Sequence, residues 1–431
     1  MIINFSIQNF GSIKDKQTLS FEADKSDHLE DSYVIHTHGL RLLKMALIFG
    51  ANASGKTTIL NALEFIRNMV LQPLSKKTDT LSFLPFLFDE ETPHLNTFIS
   101  IEFIADDTRY HYELEFFQQA VIKEVLHFYH PKKANVYTRT TDLQNQLTKI
   151  KFGSKIKIDK TVEKNLEAYT LWNNTVLGGF LKTNVDVKEL KVVTHWFEYY
   201  LSPLVYSKTD MERTITSLIA KGDISKSDVI TILKKAGFHI SDIILQEVEE
   251  VIPDSFIEIA KKTLKLTDDE IRGWEERGTI PLINLEFEYT INQSKYTLPD
   301  YFESQGLNRF YCFAGILTLL MKGSRAITID VLEFSLHPDL YNFFLLSFLL
   351  NSNKSQIIAT THFREFLDNK DIFRNDAIWF TDKSENGYTE LYSLADFDSS
   401  VIRNTTNIYN AYKSGKLKAA PHVTDSFFDL K

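Results

Sequence analysis

The chain has a single cysteine, Cys312, among its 431 residues. One cysteine excludes an intrachain disulfide framework and any zinc site built from several cysteines. The first residues, Met-Ile-Ile-Asn-Phe-Ser-Ile, do not form a basic region followed by an apolar segment and a small-residue cleavage site, so we expect no export signal. Together these absences predict a cytoplasmic location.

Long apolar runs are absent as well. No stretch approaches the eighteen or more apolar residues that a membrane-spanning helix needs, so no membrane partner is expected, and the run from Phe343 to Leu350 predicts a core helix. Hydrophobic residues make up 43% and charged residues 24% of the chain, which is typical of a globular protein. The net charge of −9 argues against a surface that is positive throughout, but it leaves room for a local basic groove and a nucleic-acid partner.

A glycine-rich loop is the most informative feature that is present. Gly50-Ala-Asn-Ala-Ser-Gly-Lys-Thr57 follows an apolar run, Leu43 to Phe49, and precedes apolar residues at helical spacing, which is the context of a P-loop. Main-chain N–H groups and the helix N-terminus stabilise phosphate charge, Lys56 reaches the β- and γ-phosphates, and Thr57 ligates Mg²⁺. The motif predicts an ATP and Mg²⁺ site whose nucleotide-binding residues include Gly50, Asn52, Ala53, Ser54, Gly55, Lys56, Thr57 and Thr58.

Further motifs follow in order after a long intervening region. An aspartate at the end of an apolar strand beside the P-loop strand can fix the water shell of Mg²⁺, and a serine and a glycine at a helix start can bind a phosphate. Singly, each motif also has an ordinary explanation as a turn residue, a helix cap or a strand-end histidine. In chain order they are Ser304-Gln-Gly306, Ala326-Ile-Thr-Ile-Asp330, Ser335-Leu-His-Pro338, and the strand Gln356 to Thr361 followed by His362.

In this order the motifs resemble those of ABC-type ATPase heads, and more closely those of the OLD-like and abortive-infection ATPases of bacteria. The tail from Tyr412 to Pro421 also resembles the C-terminal ending of that family. The resemblance implies an α/β fold, a P-loop NTPase of ABC-ATPase-head type, in which a mixed β lobe and a parallel-sheet core carry a helical insertion. It also implies a homodimer or a higher homo-oligomer that closes around ATP.

The resemblance implies a role for each matching residue. Ser304 and Gly306 would be the signature that caps the γ-phosphate of ATP held by the other protomer. Asp330 would be the Walker B acid that holds Mg²⁺ together with Thr57, and His362 would be the switch histidine near the γ-phosphate. Ser335 to Pro338 would form the D-loop. No residue can be assigned to the Q-loop.

One position departs from the family pattern. Relatives carry a glutamate directly after the Walker B aspartate, where it orients the attacking water, but this chain has Val331. Valine can neither accept a proton nor align water, so we expect slow hydrolysis unless another carboxylate substitutes. Glu333 is the nearby candidate and would lie on the same side if the backbone stays extended. It also matches an acid that relatives carry before the D-loop, which leaves a structural role open.

The predicted elements divide the chain into three parts: an N-terminal ATPase lobe with the P-loop and β-hairpins (1–155), a mainly helical insertion without coiled-coil heptads (156–280), and a C-terminal ATPase lobe (281–431). In the first lobe, alternating residues from Phe98 to Phe117 predict a hairpin that turns at Asp106 and Asp107. A second hairpin is predicted from Lys149 to Asp159. Its lysines would form a solvated strand face or a basic ribbon that contacts nucleic acid.

The leading hypothesis is an ATP-gated sensor or scaffold of bacterial anti-phage defence whose dimer controls a separately encoded effector, a nuclease or a toxin. One alternative is an OLD-type nuclease, but the roughly fifty residues after Phe380 are too few for a Toprim domain. The acids in that stretch are scattered: Asp396, Asp398, Asp425 and Asp429. Another alternative is a DNA-maintenance ATPase of RecF or SMC-head type, which the acidic balance disfavours and the lysine-rich stretch keeps open.

Overall fold

The computed structural model describes residues 1–206, 208–253, 256–257, 260, 268–333, 335–369, 372–397, 408–413 and 417–419. Asp398, Asp425, Asp429 and half of the tail from Tyr412 to Pro421 therefore lie outside the described residues. The chain forms two compact units. The first contains Met1–Ser207, Leu320–Phe334 and Leu345–Lys431, and the second contains Lys208–Leu319 and Ser335–Phe344.

An antiparallel sheet of seven strands fills one part of the first unit. Its strands are β1 (Ile2–Gln8), β2 (Gln17–Ser20), β6 (Thr97–Ala105), β7 (Thr108–Phe117), β8 (Ala120–Tyr129), β9 (Lys133–Asp142) and β10 (Leu147–Phe152). They pair in the order β10-β9-β8-β7-β6-β1-β2. The predicted hairpin is confirmed as β6 and β7, and both turn residues, Asp106 and Asp107, have positive φ, as a two-residue hairpin turn requires.

The second predicted hairpin is wrong. Residues 147–152 form the single strand β10, which pairs with β9, and the chain leaves the sheet after Gly153. A side chain at Gly153 would place its Cβ 1.9 Å from the carbonyl oxygen of Asn135, so only glycine fits this approach. Lys149 and Lys151 are exposed on what is now an edge strand, where charge prevents pairing with another sheet. This placement agrees with the solvated-face interpretation.

A second sheet of the first unit is mostly parallel. Its strands are β5 (Met45–Gly50), β14 (Ala326–Ile329), β15 (Gln356–Thr361), β16 (Ile378–Lys383) and β17 (Thr389–Ser393). The order is β14-β15-β5-β16-β17, and only β17 is antiparallel to its neighbour. Every residue of β5, β14 and β15 is buried, as expected for strands covered on both faces. We expected Asp330 beside the P-loop strand, but β15 lies between β14 and β5.

Helices and a small hairpin complete the first unit. The hairpin pairs β3 (Val34–Thr37) with β4 (Leu40–Leu43). The helices are α1 (Glu30–Tyr33), α2 (Lys56–Leu71), α3 (Lys160–Tyr169), α4 (Val176–Phe180), α5 (Lys188–His195) with a π-helical turn at Trp196–Tyr200, and α11 (Ile408–Lys413). Across the described residues, no helix is both long and apolar enough to cross a membrane.

The second unit combines helices with a three-stranded sheet. Its strands are β11 (Asp242–Val251), β12 (Thr279–Ile291) and β13 (Ser294–Pro299), and its helices are α6 (Met211–Ala220), α7 (Lys226–Lys235) and α8 (Asp268–Arg277). Helices α9 (Gln305–Lys322) and α10 (Pro338–Asn351) contribute residues to both units. A Cβ at Gly315 of α9 would lie 2.4 Å from Ile215 of α6, so the glycine allows these helices to pack closely. The division of the chain at residues 155 and 280 stays a prediction.

Candidate nucleotide-binding site

The P-loop connects the end of β5 to the start of α2. Ala53 has a φ of 64° and Gly55 a φ of 105°, which is the left-handed region that glycine enters without strain. A Cβ at Gly55 would lie 2.0 Å from Oγ1 of Thr389, and a Cβ at Gly50 would lie 2.5 Å from the carbonyl oxygen of Thr381. Both glycines are therefore required by close packing of the loop as well as by its turn.

Lys56 is buried inside this loop. Its Nζ donates hydrogen bonds to the carbonyl oxygens of Gly50 at 2.9 Å and Ala51 at 2.8 Å. Burial lowers the pKa of Lys56 to about 8, although the charges of Asp330 and Glu333 oppose the shift. The ammonium group is thus held in place by main-chain dipoles, which phosphate oxygens could replace.

Thr57 and Asp330 lie together across the end of β15. Oγ1 of Thr57 donates to the Asp330 carboxylate, at 3.1 Å from Oδ1 and 3.2 Å from Oδ2. Thr360, at the end of β15, donates from its Oγ1 to Asp330 Oδ1 at 2.7 Å and accepts from the Val331 N–H at 2.8 Å. Thr360 therefore orients the aspartate from the intervening strand. The sequence interpretation missed Thr360, because a threonine near a strand end is ordinary.

Glu333 approaches the P-loop by a different route from the one predicted. The backbone after Asp330 is not extended, because Val331 has a φ of 59°, an outlier for a β-branched residue. After this turn, Oε1 of Glu333 accepts a hydrogen bond of 2.5 Å from the His362 N–H. Its Oε2 is buried without a hydrogen-bond partner among the described residues. The charge of Glu333 also acts on Lys56, so one carboxylate oxygen is left near the loop for another ligand.

His362 is exposed directly after β15. Desolvation of its ring, together with the charge of Lys56, lowers the pKa of His362, while Glu333 and Asp330 oppose the shift. The imidazole is therefore neutral near pH 7 and can accept a hydrogen bond as well as donate one. The structure brings His362 together with Lys56, Thr57, Asp330 and Glu333 in the first unit.

Ser304 and Gly306 belong to the second unit, where they begin α9. Oγ of Ser304 accepts from the Leu307 N–H at 3.2 Å, which caps the helix. A Cβ at Gly306 would meet nothing closer than the carbonyl oxygen of Ser335 at 3.8 Å. Among the described residues, packing within the chain therefore does not explain why this position is glycine. Ser335, which begins the predicted D-loop, is exposed and has a φ of 61°.

A group of hydroxyl side chains fixes the P-loop from distant parts of the chain. Ser54 Oγ lies 2.6 Å from Thr381 Oγ1 of β16. Oγ1 of Thr389 in β17 donates to the carbonyl oxygen of Ser54 at 2.9 Å and lies 2.7 Å from Ser12 Oγ. Oγ of Ser12 in turn lies 3.0 Å from Oγ1 of Thr58. No local sequence signal distinguishes Ser12, Thr381 and Thr389, because their partners are far away along the chain.

The donor set suits a nucleoside triphosphate with Mg²⁺. Lys56 and the first N–H groups of α2 provide positive charge of the kind that binds phosphates. The hydroxyl of Thr57 and the carboxylate of Asp330 provide the oxygen ligands that Mg²⁺ prefers. Sheet order and loop conformation together define a P-loop ATPase fold with mixed α/β sheets and helices.

The family profile described as AAA ATPase domain matches residues 1–367. The chain belongs to this AAA ATPase domain family, whose members bind nucleotides through a P-loop. None of the curated protein sequences matches the chain.

Solved structures of SMC heads are similar to the chain at low identity. A SmcHead bound to the C-winged helix domain of ScpA has 12% identity and a TM-score of 0.45, and the alignment covers 91% of this chain and 97% of that one. The SMC head domain from Thermotoga maritima has 10% identity, a TM-score of 0.39 and coverage of 91% and 98%. A Pyrococcus furiosus Smc head with an extended coiled coil, bound to the C-terminal domain of ScpA, has 13% identity, a TM-score of 0.40 and coverage of 91% and 96%.

Proposed function

We propose that the chain is an ABC-type ATPase that binds ATP with Mg²⁺ at the P-loop and dimerises around the nucleotide. The observation that carries the proposal is the convergence of Lys56, Thr57 and Asp330 at the carboxyl ends of β5, β14 and β15. Ligands of open parallel sheets bind at this edge. Lys56 exchanges its two carbonyl partners for β- and γ-phosphate oxygens, while Thr57 and Asp330 hold Mg²⁺ and its bound water.

Hydrolysis is proposed to be slow. Val331 stands where the water-orienting glutamate belongs and offers no acceptor. Glu333 is the carboxylate that can substitute, because its Oε2 is buried without a described partner and its charge reaches Lys56. However, Oε1 is already committed to the His362 N–H, so Glu333 is held by the backbone and cannot move freely to a water molecule. Slow hydrolysis suits a protein that acts as a switch, because its ATP-bound state must persist.

Dimerisation is supported by Gly306. The position tolerates a Cβ within its own fold, so a close approach from outside the chain accounts for the glycine better than internal packing does. In the proposed dimer, Ser304 and Gly306 of one protomer cap the γ-phosphate that the other protomer binds. Each ATP site then requires two chains.

The proposed biological role is that of a sensor or scaffold in bacterial anti-phage defence, of the abortive-infection type. ATP closes the homodimer, and the closed state holds or releases a separately encoded nuclease or toxin. This assignment is supported by the motif order shared with the OLD-like and abortive-infection ATPases. A DNA-maintenance role has less support, because Lys149 and Lys151 blunt an edge strand. Gel shifts at two salt concentrations separate these roles, since phosphate-driven binding weakens steeply with salt.

ATP binding by purified wild-type and Lys56→Ala protein tests the proposal. Loss of the ammonium leaves the β/γ-phosphates without their buried counter-charge, so affinity should fall by at least about 100-fold. The matched control is Lys77→Ala, which removes an exposed lysine whose Nζ contacts the carbonyl oxygen of Gln146, and it should bind ATP as the wild type does. Unchanged ATP affinity in Lys56→Ala, measured by isothermal titration, would contradict the site.

A further inference from the structure

A second cluster of metal-ligating side chains lies on the antiparallel sheet, away from the P-loop. His111 and Glu113 belong to β7, and His127 belongs to the neighbouring strand β8. One ligand atom from each of the three lies within 4.8 Å of the other two. We propose that His111, Glu113 and His127 form a binding site for a divalent transition-metal ion, with Zn²⁺ as the representative ion.

Strand register explains why these side chains meet. His111 is directly opposite His127 in the β7/β8 pair, and paired residues point to the same face of a sheet. Glu113 is two residues after His111 and therefore lies on that face as well. The two imidazole ring centroids are 6.4 Å apart, and Nδ1 of His111 is 3.4 Å from Oε1 of Glu113. The sheet itself holds all three groups, so little chain entropy is lost when an ion binds.

His127 supplies an independent reason to expect a ligand. Its Nδ1 is buried and has no hydrogen-bond partner within the described part of the chain. A buried ring nitrogen without a partner is unfavourable, because it has lost its bond to water and gained none. Metal coordination would satisfy this nitrogen.

The residue types select the ion. Two imidazoles and one carboxylate suit Zn²⁺ and its neighbours in the transition series, whereas Mg²⁺ and Ca²⁺ prefer oxygen ligands alone. In a tetrahedral zinc site with bonds near 2.0 Å, ligand atoms are separated by about 3.3 Å. Small rotations of three half-buried side chains bring the observed cluster to that spacing. Three protein ligands leave a fourth position for water or another small ligand.

Lys133 opposes metal binding in the present arrangement. Its Nζ lies 3.3 Å from Nδ1 of His111, where it occupies a lone pair and adds positive charge. Lys133 is exposed, and its flexible stem can move the ammonium group into solvent when an ion arrives. Removal of this charge should therefore strengthen metal binding, in contrast to the removal of any of the three ligands.

Titration of the nucleotide-free full-length protein with Zn²⁺ tests the proposal. The wild type should bind one ion, and His127→Gln or Glu113→Gln should each weaken binding. For His127→Gln we expect a loss of at least about 100-fold, because even residues that only support metal ligands change affinity by 10- to 100-fold. Lys133→Gln should tighten binding by at least about threefold. Thermal melting without metal checks that each variant folds.

Two controls separate this site from other sources of zinc binding. His94→Gln removes an exposed histidine elsewhere and should change nothing, and Asp330→Asn removes the proposed Mg²⁺ ligand and should also leave zinc binding intact. Binding that survives in a folded His111→Gln, His127→Gln double variant would overturn the proposal. So would a Zn²⁺ signal that disappears in Asp330→Asn, or an affinity that does not rise in Lys133→Gln.

Discussion

Lys56 illustrates how a residue can be prepared for a ligand. Its ammonium group is buried, and burial alone would favour the neutral amine. Two carbonyl oxygens and the nearby carboxylates of Asp330 and Glu333 offset part of that cost, and the pKa of Lys56 settles at about 8. The group is therefore charged at pH 7 but close to losing its proton. Phosphate oxygens would stabilise the charged form and raise its pKa in the complex.

This balance predicts how ATP affinity depends on pH. Below about pH 8, Lys56 is charged both before and after binding, so the affinity should be flat. Above that pH the free protein must take up a proton when ATP binds, and Kd should increase by up to about tenfold per pH unit. In Lys56→Arg the guanidinium stays charged, so its Kd should not change over the same range. Isothermal titration from pH 7.5 to 9.5 provides the measurement, and a flat wild-type curve would show that Lys56 does not titrate there.

Val331 and Glu333 predict the rate of hydrolysis. The wild type should turn ATP over far below the median enzyme rate of about 10 per second. Val331→Glu should raise the rate by at least about tenfold, because a general base is restored. Glu333→Gln should remove residual activity while its amide oxygen still accepts from the His362 N–H, which keeps the local fold. Steady-state phosphate release measures all three, and brisk wild-type hydrolysis that Glu333→Gln abolishes would show that Glu333 is a fully competent base.

At the residue scale, the sequence identifies candidate residues by their type and spacing, but it does not predict the backbone conformation that orients them. The P-loop and the carboxylate of Asp330 are recognisable because their chemistry requires those residue types at that spacing. The sequence analysis places Glu333 on the same side as Asp330 only if the backbone stays extended, whereas Val331 has a left-handed conformation and creates a turn. A β-branched residue gives no signal for that conformation. It is imposed by tertiary contacts, among them the bond between the Val331 N–H and Thr360.

At the scale of elements, β15 determines how the site is assembled. It lies between the P-loop strand and the strand that Asp330 follows, so Thr360, the residue before its last, contacts both the Asp330 side chain and the Val331 backbone. Apolar runs predicted β5, β14 and β15 at the correct places in the sequence. They could not predict the strand order, because buried parallel strands all have similar apolar sequences and no residue within a strand specifies which strands it pairs with.

Thr360→Val tests this role of β15. The substitution keeps the side-chain shape but leaves Asp330 Oδ1 without one of its donors and the Val331 N–H without its acceptor. The free energy of unfolding should fall by about 1–3 kcal/mol, and the Mg²⁺ dependence of ATP binding should weaken because Asp330 is no longer oriented. Thr360→Ser retains the hydroxyl and should retain Mg²⁺ dependence. Urea unfolding and titration of ATP with and without Mg²⁺ distinguish the two, and equal Mg²⁺ dependence in Val and Ser variants would exclude an orienting role.

At the scale of the whole molecule, the candidate residues fall in two groups. Lys56, Thr57, Asp330, Glu333 and His362 belong to the first unit, while Ser304, Gly306 and Ser335, the first residue of the predicted D-loop, belong to the second. The order of the motifs in the sequence could not predict this distribution, because the predicted signature and the predicted Walker B strand are neighbours in the chain. In the proposed dimer, each ATP site takes one group from each protomer. Mixtures of chains that carry substitutions in different groups can therefore test the proposal.

Gly306→Glu predicts the behaviour of such mixtures. A Cβ at this position would lie 3.8 Å from its nearest neighbour, the carbonyl oxygen of Ser335, which is ordinary van der Waals contact, so the variant should melt as the wild type does and should still bind ATP. Across the proposed dimer interface, however, the added carboxylate would face the γ-phosphate bound by the partner chain. Like charges at close range oppose closure of the dimer. Size-exclusion chromatography with ATP and Mg²⁺ should therefore show dimers for the wild type and monomers for Gly306→Glu.

Mixing this variant with Lys56→Ala makes the test specific to a composite site. The Gly306→Glu chain supplies an intact P-loop and the Lys56→Ala chain supplies an intact signature, so the mixture should regain one of the two ATP sites. Neither variant alone can form a complete site from two chains, although the Gly306→Glu monomer still binds ATP at its P-loop. Nucleotide-dependent association should consequently reappear only when both chains are present, at about half the ATP stoichiometry of the wild type. If Gly306→Glu leaves nucleotide-dependent association unchanged, the dimer interface lies elsewhere on the molecule. That result would remove the structural reason for a dimer that shares its ATP sites.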